Sequence, residues 1–525
     1  MEFKKIRFTS YKVQFSGKKG FKIVFYRKKN RTERGATGYH YDDENYTIFH
    51  HAILPLDLES LLSDKSNYIK TISNTFSLFI FNKKENSLEI VSDKFGLQTI
   101  YYHHTPDEIQ ISNLIFHLRD LTELTINKQG LFSYLSFGFN AKFQPTIFND
   151  LKKIKSNTIN LIDKHINIKS DILEDTENTF DSTLELPNII DSLKKSISKI
   201  ENPFLGVTSG LDSSLLSSLF SNTPIQSGNF GDTKSSDVNI GKKIAERSGY
   251  TYNHQDLVNE DEYLHYARQI AYYTSGLGTS SYVDMLKFVS NAIPNNFCFV
   301  MGEGGECVRD FFDSKTDKLD TVFLKYFSPV DALKNILTSE FDSFFENYPE
   351  PLLNNYNSNH EKYSPNYYLD FYRDIRMNGN FSLRTSILQS EIDKFSPFLE
   401  KEFIKEAFNL DINYYKNSWL HKEIIKHNDP ELLSIISNQE SEIPVQNWNE
   451  RFSNNIGKII HNVIENSNFD TVLPLSKENI LKEITSNIEK PTRTIFLLFR
   501  LISLVLFIDQ LKNGEDFEEE LFTIN

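Results

Sequence analysis

Two stretches hold residue types whose spacing could do chemistry. The first is Thr208-Ser209-Gly210-Leu211-Asp212-Ser213-Ser214, between an apolar run at 204–207 and a second at 215–220. An apolar strand, a turn of small residues and a helix together make a phosphate cradle. The turn exposes backbone N–H groups, and the helix N-terminus adds partial positive charge. Asp212 has the wrong sign for phosphate alone, but it suits a magnesium ion that bridges phosphate oxygens. The same stretch also reads as an ordinary capped turn, with Asp212 or Ser213 as the N-cap. The second stretch is Gly302-Glu303-Gly304-Gly305-Glu306-Cys307, entered from the apolar run 297–301. Two carboxylates three residues apart can hold a metal and take a proton. Alternatively, they form a solvated acidic turn.

Residues 188–200 have helical spacing, and strand-like runs follow at 204 and at 225–230. A helix is expected over 237–248, with Ile240, Ile244 and Ala245 on one face and Gly249 beyond its end. Strand–helix alternation predicts a parallel sheet, and ligands on such sheets sit at the carboxyl ends of the strands. Beyond 315 the Phe, Tyr and Leu residues recur at helical spacing, which predicts core. Over 1–170 short β-type runs dominate. Those at 76–81 and 87–92, joined through 82–86, predict a hairpin; 99–102 and 110–112 follow. The expected division is 1–170, 185–430 and a helical extension over 431–525 with an acidic end at 515–520.

At 525 residues, two or three domains are expected. A net charge of −14 disfavours a nucleic-acid partner. The two cysteines, Cys298 and Cys307, suit a reducing cytoplasm rather than a disulfide framework. The first residues lack the apolar segment of a signal peptide. The longest apolar run, 495–508, is interrupted by Arg500 and short for a bilayer, so a packed C-terminal helix is expected and no membrane partner.

The first stretch resembles the S-G-G-x-D-S-S loop of the ATP-pyrophosphatase superfamily, with Thr208 for the first Ser and Ser209 for the first Gly. Residues 92–102 resemble R-D-x-F-G-x-x-P-L-Y-Y of the class II amidotransferase domain of asparagine synthetases. Ile111-Ser112-Asn113 falls at that family's F-A-S-E element, and 135–139 with 146–148 resemble its closing segment. Residues 302–307 resemble G-E-G-S-D-E, and 393–400 resemble E-x-R-x-P-F-L-D, with Phe395 for Arg. Residues 415–422 lie where the family has K-x-x-L-R.

The resemblance implies an α+β, amidotransferase-like β-sandwich followed by an α/β ATP-pyrophosphatase domain with a helical C-terminal part. It implies ATP and Mg2+, with Thr208, Ser209, Gly210, Asp212, Ser213, Ser214, Ser227 and Gly302 binding the nucleotide. Asp212 and Glu306 would hold the metal, and Glu303 would handle the proton of the amine. Lys416 and Lys422 are the nearest lysines to the family's catalytic cation, and neither is in register. The segment 276–281 either lines the carboxylate pocket or is a plain loop. The implied reaction is adenylation of a small-molecule or peptide carboxylate, followed by transfer of an amine. The family cleaves glutamine with a cysteine at residue one; here Glu2 stands near that place and no cysteine precedes Cys298. The expectation is therefore no glutaminase activity, with nitrogen from ammonia or a substrate amine. Specialised relatives of the β-lactam synthetase and lasso-cyclase type, and a binding module without turnover, remain as alternatives. A tRNA-modifying thiolase is opposed by the acidic charge and the lack of C-x-x-C pairs. The oligomeric state is open, a homodimer being one option.

Overall fold

The computed structural model describes residues 2–18, 20–31, 33–121, 125–140, 145–173, 184–220, 223–309, 311, 327–358, 367–437 and 444–524. Strands β1 (Lys4–Phe8), β2 (Ser10–Ser16), β3 (Gly20–Lys28), β4 (Ala36–Asp42), β5 (Tyr46–His51), β6 (Ser77–Asn82), β7 (Ser87–Ser92), β8 (Tyr101–His104), β9 (Glu108–Ser112), β10 (Lys152–Lys153), β11 (Thr158–Ile162) and β12 (Ile168–Ile172) build the N-terminal part. They form two antiparallel sheets, ordered β1-β4-β5-β6-β7-β11-β12 and β10-β8-β9-β2-β3, and the second gains one more strand from the far end of the chain.

Period-two alternation explains why the sheets stack. Tyr11, Val13 and Phe15 of β2 are buried and meet Phe49, Phe79 and Phe81 of the facing sheet in one core. Tyr11 lies 5.4 Å from Phe79 and 5.3 Å from Phe49, ring centre to ring centre. The outer face of the seven-stranded sheet carries Ile48, Leu78 and Ile80, covered by Leu58, Leu61 and Ile69 from two short helices. The expected hairpin is present: β6 pairs with β7, Phe79 opposite Ile90, and Asn86 takes the left-handed turn position.

Strands β13 (Pro203–Gly206), β14 (Gln226–Phe230), β15 (Thr251–Gln255), β16 (Cys298–Val300) and β17 (Asp393–Phe395) form a third sheet, parallel throughout. Its order is β15-β14-β13-β16-β17. The chain winds outward from β13 on one side, then returns to build β16 and β17 on the other. The switch between these directions lies between β13 and β16. There the loops leaving the two strands part and open a crevice, where ligands of such sheets bind.

The expected C-terminal helix is Thr494–Asn513. It is long and apolar enough to cross a membrane, yet 83% of its most apolar window is buried within the molecule. The acidic end departs from expectation. Instead of continuing as helix, it forms β18 (Glu518–Ile524), which pairs antiparallel with β3 at the edge of the six-stranded sheet. An open edge supplies backbone donors and acceptors that a solvated tail lacks. Buried Glu518 is held there by Thr9, Ser10 and His117.

Candidate active site

Parallel pairing sets Phe204 and Leu205 of β13 beside Phe299 and Val300 of β16. The chain after β13 therefore runs beside the chain after β16. Asp212 lies directly over Gly302 and Gly305. A Cβ on Gly302 would sit 2.6 Å from Asp212 Cβ, and one on Gly305 would strike its carboxylate. These two positions must be glycine for the stretches to meet.

The crevice between them has a volume of about 280 Å³. Thr208, Gly210, Asp212, Ser213, Gly302, Glu303 and Glu306 line it, with Phe230, Phe288 and Phe299 forming apolar wall. Of the residues singled out in the sequence, these seven come together. Ser209 is turned aside and held by Asp237. Ser214 is buried beneath the turn, its Oγ donating to Gly210 O at 2.8 Å. Ser227 is buried within β14, where Gly228 and Asn229 line the crevice in its place. Lys422 is exposed and Lys416 half-buried, and neither lines any part of it; Lys416 Nζ donates to Asn413 Oδ1 at 2.6 Å.

The capped-turn alternative fails on geometry. The helix Leu211–Leu219 begins at Gly210, and no side chain caps it. The hydroxyls brace the turn instead: Thr208 Oγ1 lies 2.9 Å from Ser213 Oγ and accepts from Gly210 N at 3.1 Å. The helix dipole therefore reaches the crevice without a capping acceptor.

Four further side chains belong to this site. Arg309 donates to Asp212 Oδ2 at 3.1 Å. His421 Nε2 lies 2.8 Å from Asp212 Oδ1, at an angle that makes no hydrogen bond. Lys394 is fully buried, ion-paired with Glu303, and donates to Thr385 Oγ1 at 2.6 Å. Burial pushes the Lys394 ammonium down, and Glu303 pulls it back up. Register explains the meeting: Lys394 on β17 stands beside Phe299 on β16, whose exit loop carries Glu303. Arg384, on the helix Ser382–Gln389, lines the crevice with its guanidinium 5.2 Å from the Phe381 ring centre. It has no carboxylate partner among the described residues. Nothing in the sequence around Arg384 marks it; Arg309, by contrast, sits three residues after Glu306.

Glu306 is raised to about 7, first by burial and then by the charge of Asp212. Its Oε2 has no hydrogen-bond partner among the described residues. Two repelling carboxylates with an orphaned oxygen fit a divalent cation, which would relieve both penalties. They are two ligands, and no group of three His, Cys, Asp or Glu able to hold a metal occurs among the described residues. Magnesium takes octahedral oxygen coordination, so the site fits it only with substrate phosphate and water completing the set.

No family model matches the chain, and no curated protein matches it. Among solved structures, it is similar to the glutamine phosphoribosylpyrophosphate amidotransferase of B. subtilis complexed with ADP and GMP. The identity is 10% and the TM-score 0.20, over 47% of this chain and 59% of that one. A structure described as the allosteric regulatory enzyme of purine biosynthesis is 8% identical with TM-score 0.18, over the same shares. The chain thus spans under two thirds of either protein, and superpositions this loose place no residue.

Proposed function

We propose that the chain is an ATP-dependent carbon–nitrogen ligase. It adenylates a carboxylate in the crevice between β13 and β16 and passes an amine to the activated carbon without cleaving glutamine. The observation that carries this reading is the meeting of Asp212 and Glu306 across the switch of the parallel sheet, beside an uncapped helix start.

In this reading the Gly210–Ser213 turn and the helix amides hold the phosphates. Phe230, Phe288 and Phe299 offer apolar surface to the base. Arg384 takes charge on the phosphoryl oxygens, the role for which the family resemblance offered only the out-of-register Lys416 and Lys422. A carboxylate oxygen of the substrate attacks the α-phosphorus, and pyrophosphate leaves. The amine nitrogen then attacks the acyl carbon, AMP leaves, and the proton passes to Glu303, whose Oε1 has no partner among the described residues. Lys394 fixes the other oxygen of Glu303. Asp212 and Glu306 would hold a magnesium ion, which neutralises pyrophosphate when bound.

One observation favours a second reading, a binding module without turnover: Arg309 already pairs with Asp212, and the His421 ring stands against its other oxygen. ATP–pyrophosphate exchange decides between them. Across a panel of amino acids and peptides with free carboxylates, the ligase gives exchange and AMP release that need a carboxylate. Nucleotide binding with no exchange for any member would establish the module.

A further inference from the structure

A cavity of about 530 Å³, larger than the crevice, opens where the N-terminal sandwich meets the segment Tyr372–Phe381. Lys152, Lys153 and Lys155 stand in its wall beside Asn127 and Asn149, and no carboxylate lines it. Lys152 and Lys155 are exposed at the mouth, while Lys153 lies deeper. Lys153 Nζ reaches only the carbonyl and amide oxygens of Asn378, at 3.4 and 3.3 Å. These distances are beyond the usual range for an ammonium donor. None of the three lysines has an ion-pair partner among the described residues. Asp93 is the one carboxylate acting on Lys153, and its own oxygens accept the backbone N–H groups of Phe95, Leu97 and Gln98. Burial draws the Lys153 amine down to about 8.

Lys153, drawn into the wall without an ion-pair partner, is costly in folding terms, and a cluster of three lysines with no carboxylate on one cavity stands out in a chain of net charge −14. We propose that this cavity binds a small phosphate ester, with Lys153 as the inner contact and Lys152 and Lys155 gripping from the rim. Ammonium groups are compact point charges that suit a tetrahedral, multiply charged oxyanion. A planar carboxylate is better matched by a guanidinium fork, and none lines this cavity. Tyr102, Phe148 and Ile154 supply apolar surface for the organic part.

The test uses the full chain and a phosphate-bearing aldehyde reagent, pyridoxal 5′-phosphate. A neutral amine adds to its carbonyl with loss of water; borohydride then fixes the product, and peptide mapping reads the position. The expected result is dominant labelling at Lys153, slowed about tenfold by millimolar inorganic pyrophosphate. The exposed pair Lys152→Ser/Lys155→Ser should still be labelled at Lys153 but lose that protection. Lys153→Met should remove the dominant label alone. Labelling scattered over surface lysines with Lys153 unmodified would overturn the proposal. So would labelling of Lys153 that pyrophosphate does not slow, in a chain whose other lysines react equally fast. Because the readout is a mapped lysine rather than turnover, it is independent of whether the crevice is an active site.

Discussion

The N-terminal sandwich and the crevice of the parallel sheet both bury polar side chains, and they treat them in opposite ways. In the sandwich, His50 and His51 are buried, and desolvation draws both down to about 3, so they sit neutral between the strands. In the crevice, charge is kept and opposed: Glu303 to Lys394, Asp212 to Arg309, Glu306 against Asp212. Holding charge out of water costs free energy. The sandwich also keeps a buried carboxylate, Glu518, but satisfies it with Thr9, Ser10 and His117. The crevice instead leaves Glu306 Oε2 without a partner among the described residues, which is the imbalance the proposed reading uses.

The largest effect expected from breaking this contrast is at Lys394. Lys394→Met leaves Glu303 buried without its cation and should destabilise the protein by about 3–5 kcal/mol in urea unfolding. Adding Glu303→Gln should recover part of that loss; no recovery would mean the pair is not coupled. Next, Asp212→Ala should lower carboxylate-dependent AMP release by about 10²–10³-fold, and Arg384→Ala should do likewise. Retained turnover in both would remove the crevice from the mechanism.

The two regions should also show opposite pH slopes. His50 and His51 have folded pKa values below the unfolded one. Their contribution is complete above about 6.5 and is lost as pH falls toward 3. Glu306 is raised instead, so its contribution is complete below the ordinary carboxylate range and is lost as pH rises through about 7. At pH 8, Glu306→Gln should therefore stabilise the metal-free protein by about 1–3 kcal/mol. The same variant should abolish stabilisation by magnesium with nucleotide, read as a change in Tm. Smallest of all, Lys416→Ala should change turnover by less than about twofold, as befits a side chain that lines no part of the crevice.

What the sequence made legible was local. The hairpin at 76–92, the turn at 208–214 and the glycine-rich exit of β16 each announce themselves within a few residues. So does the long apolar helix. Arg384, Lys394 and His421 were not legible as parts of one site. Strand register and helix packing bring them there from distant stretches, and no local period encodes that. The acidic tail misled for a related reason. Taken alone, Glu518-Glu519-Glu520 reads as solvated charge, and only the open edge of β3 makes it a strand. Lys416 and Lys422 show the other direction: a nearby motif position suggested them, while neither lines the crevice.

The pairing of β18 with β3 carries a consequence for biosynthesis. The edge of the first-made sheet is completed by the last segment described, with Glu518 closing over Thr9 and Ser10. Until β18 has been made and has emerged, that edge stays open and its hydroxyls unmet. The early half can reach its finished form only once this distant segment arrives, and until then it offers the cell's chaperones an unpaired strand to hold.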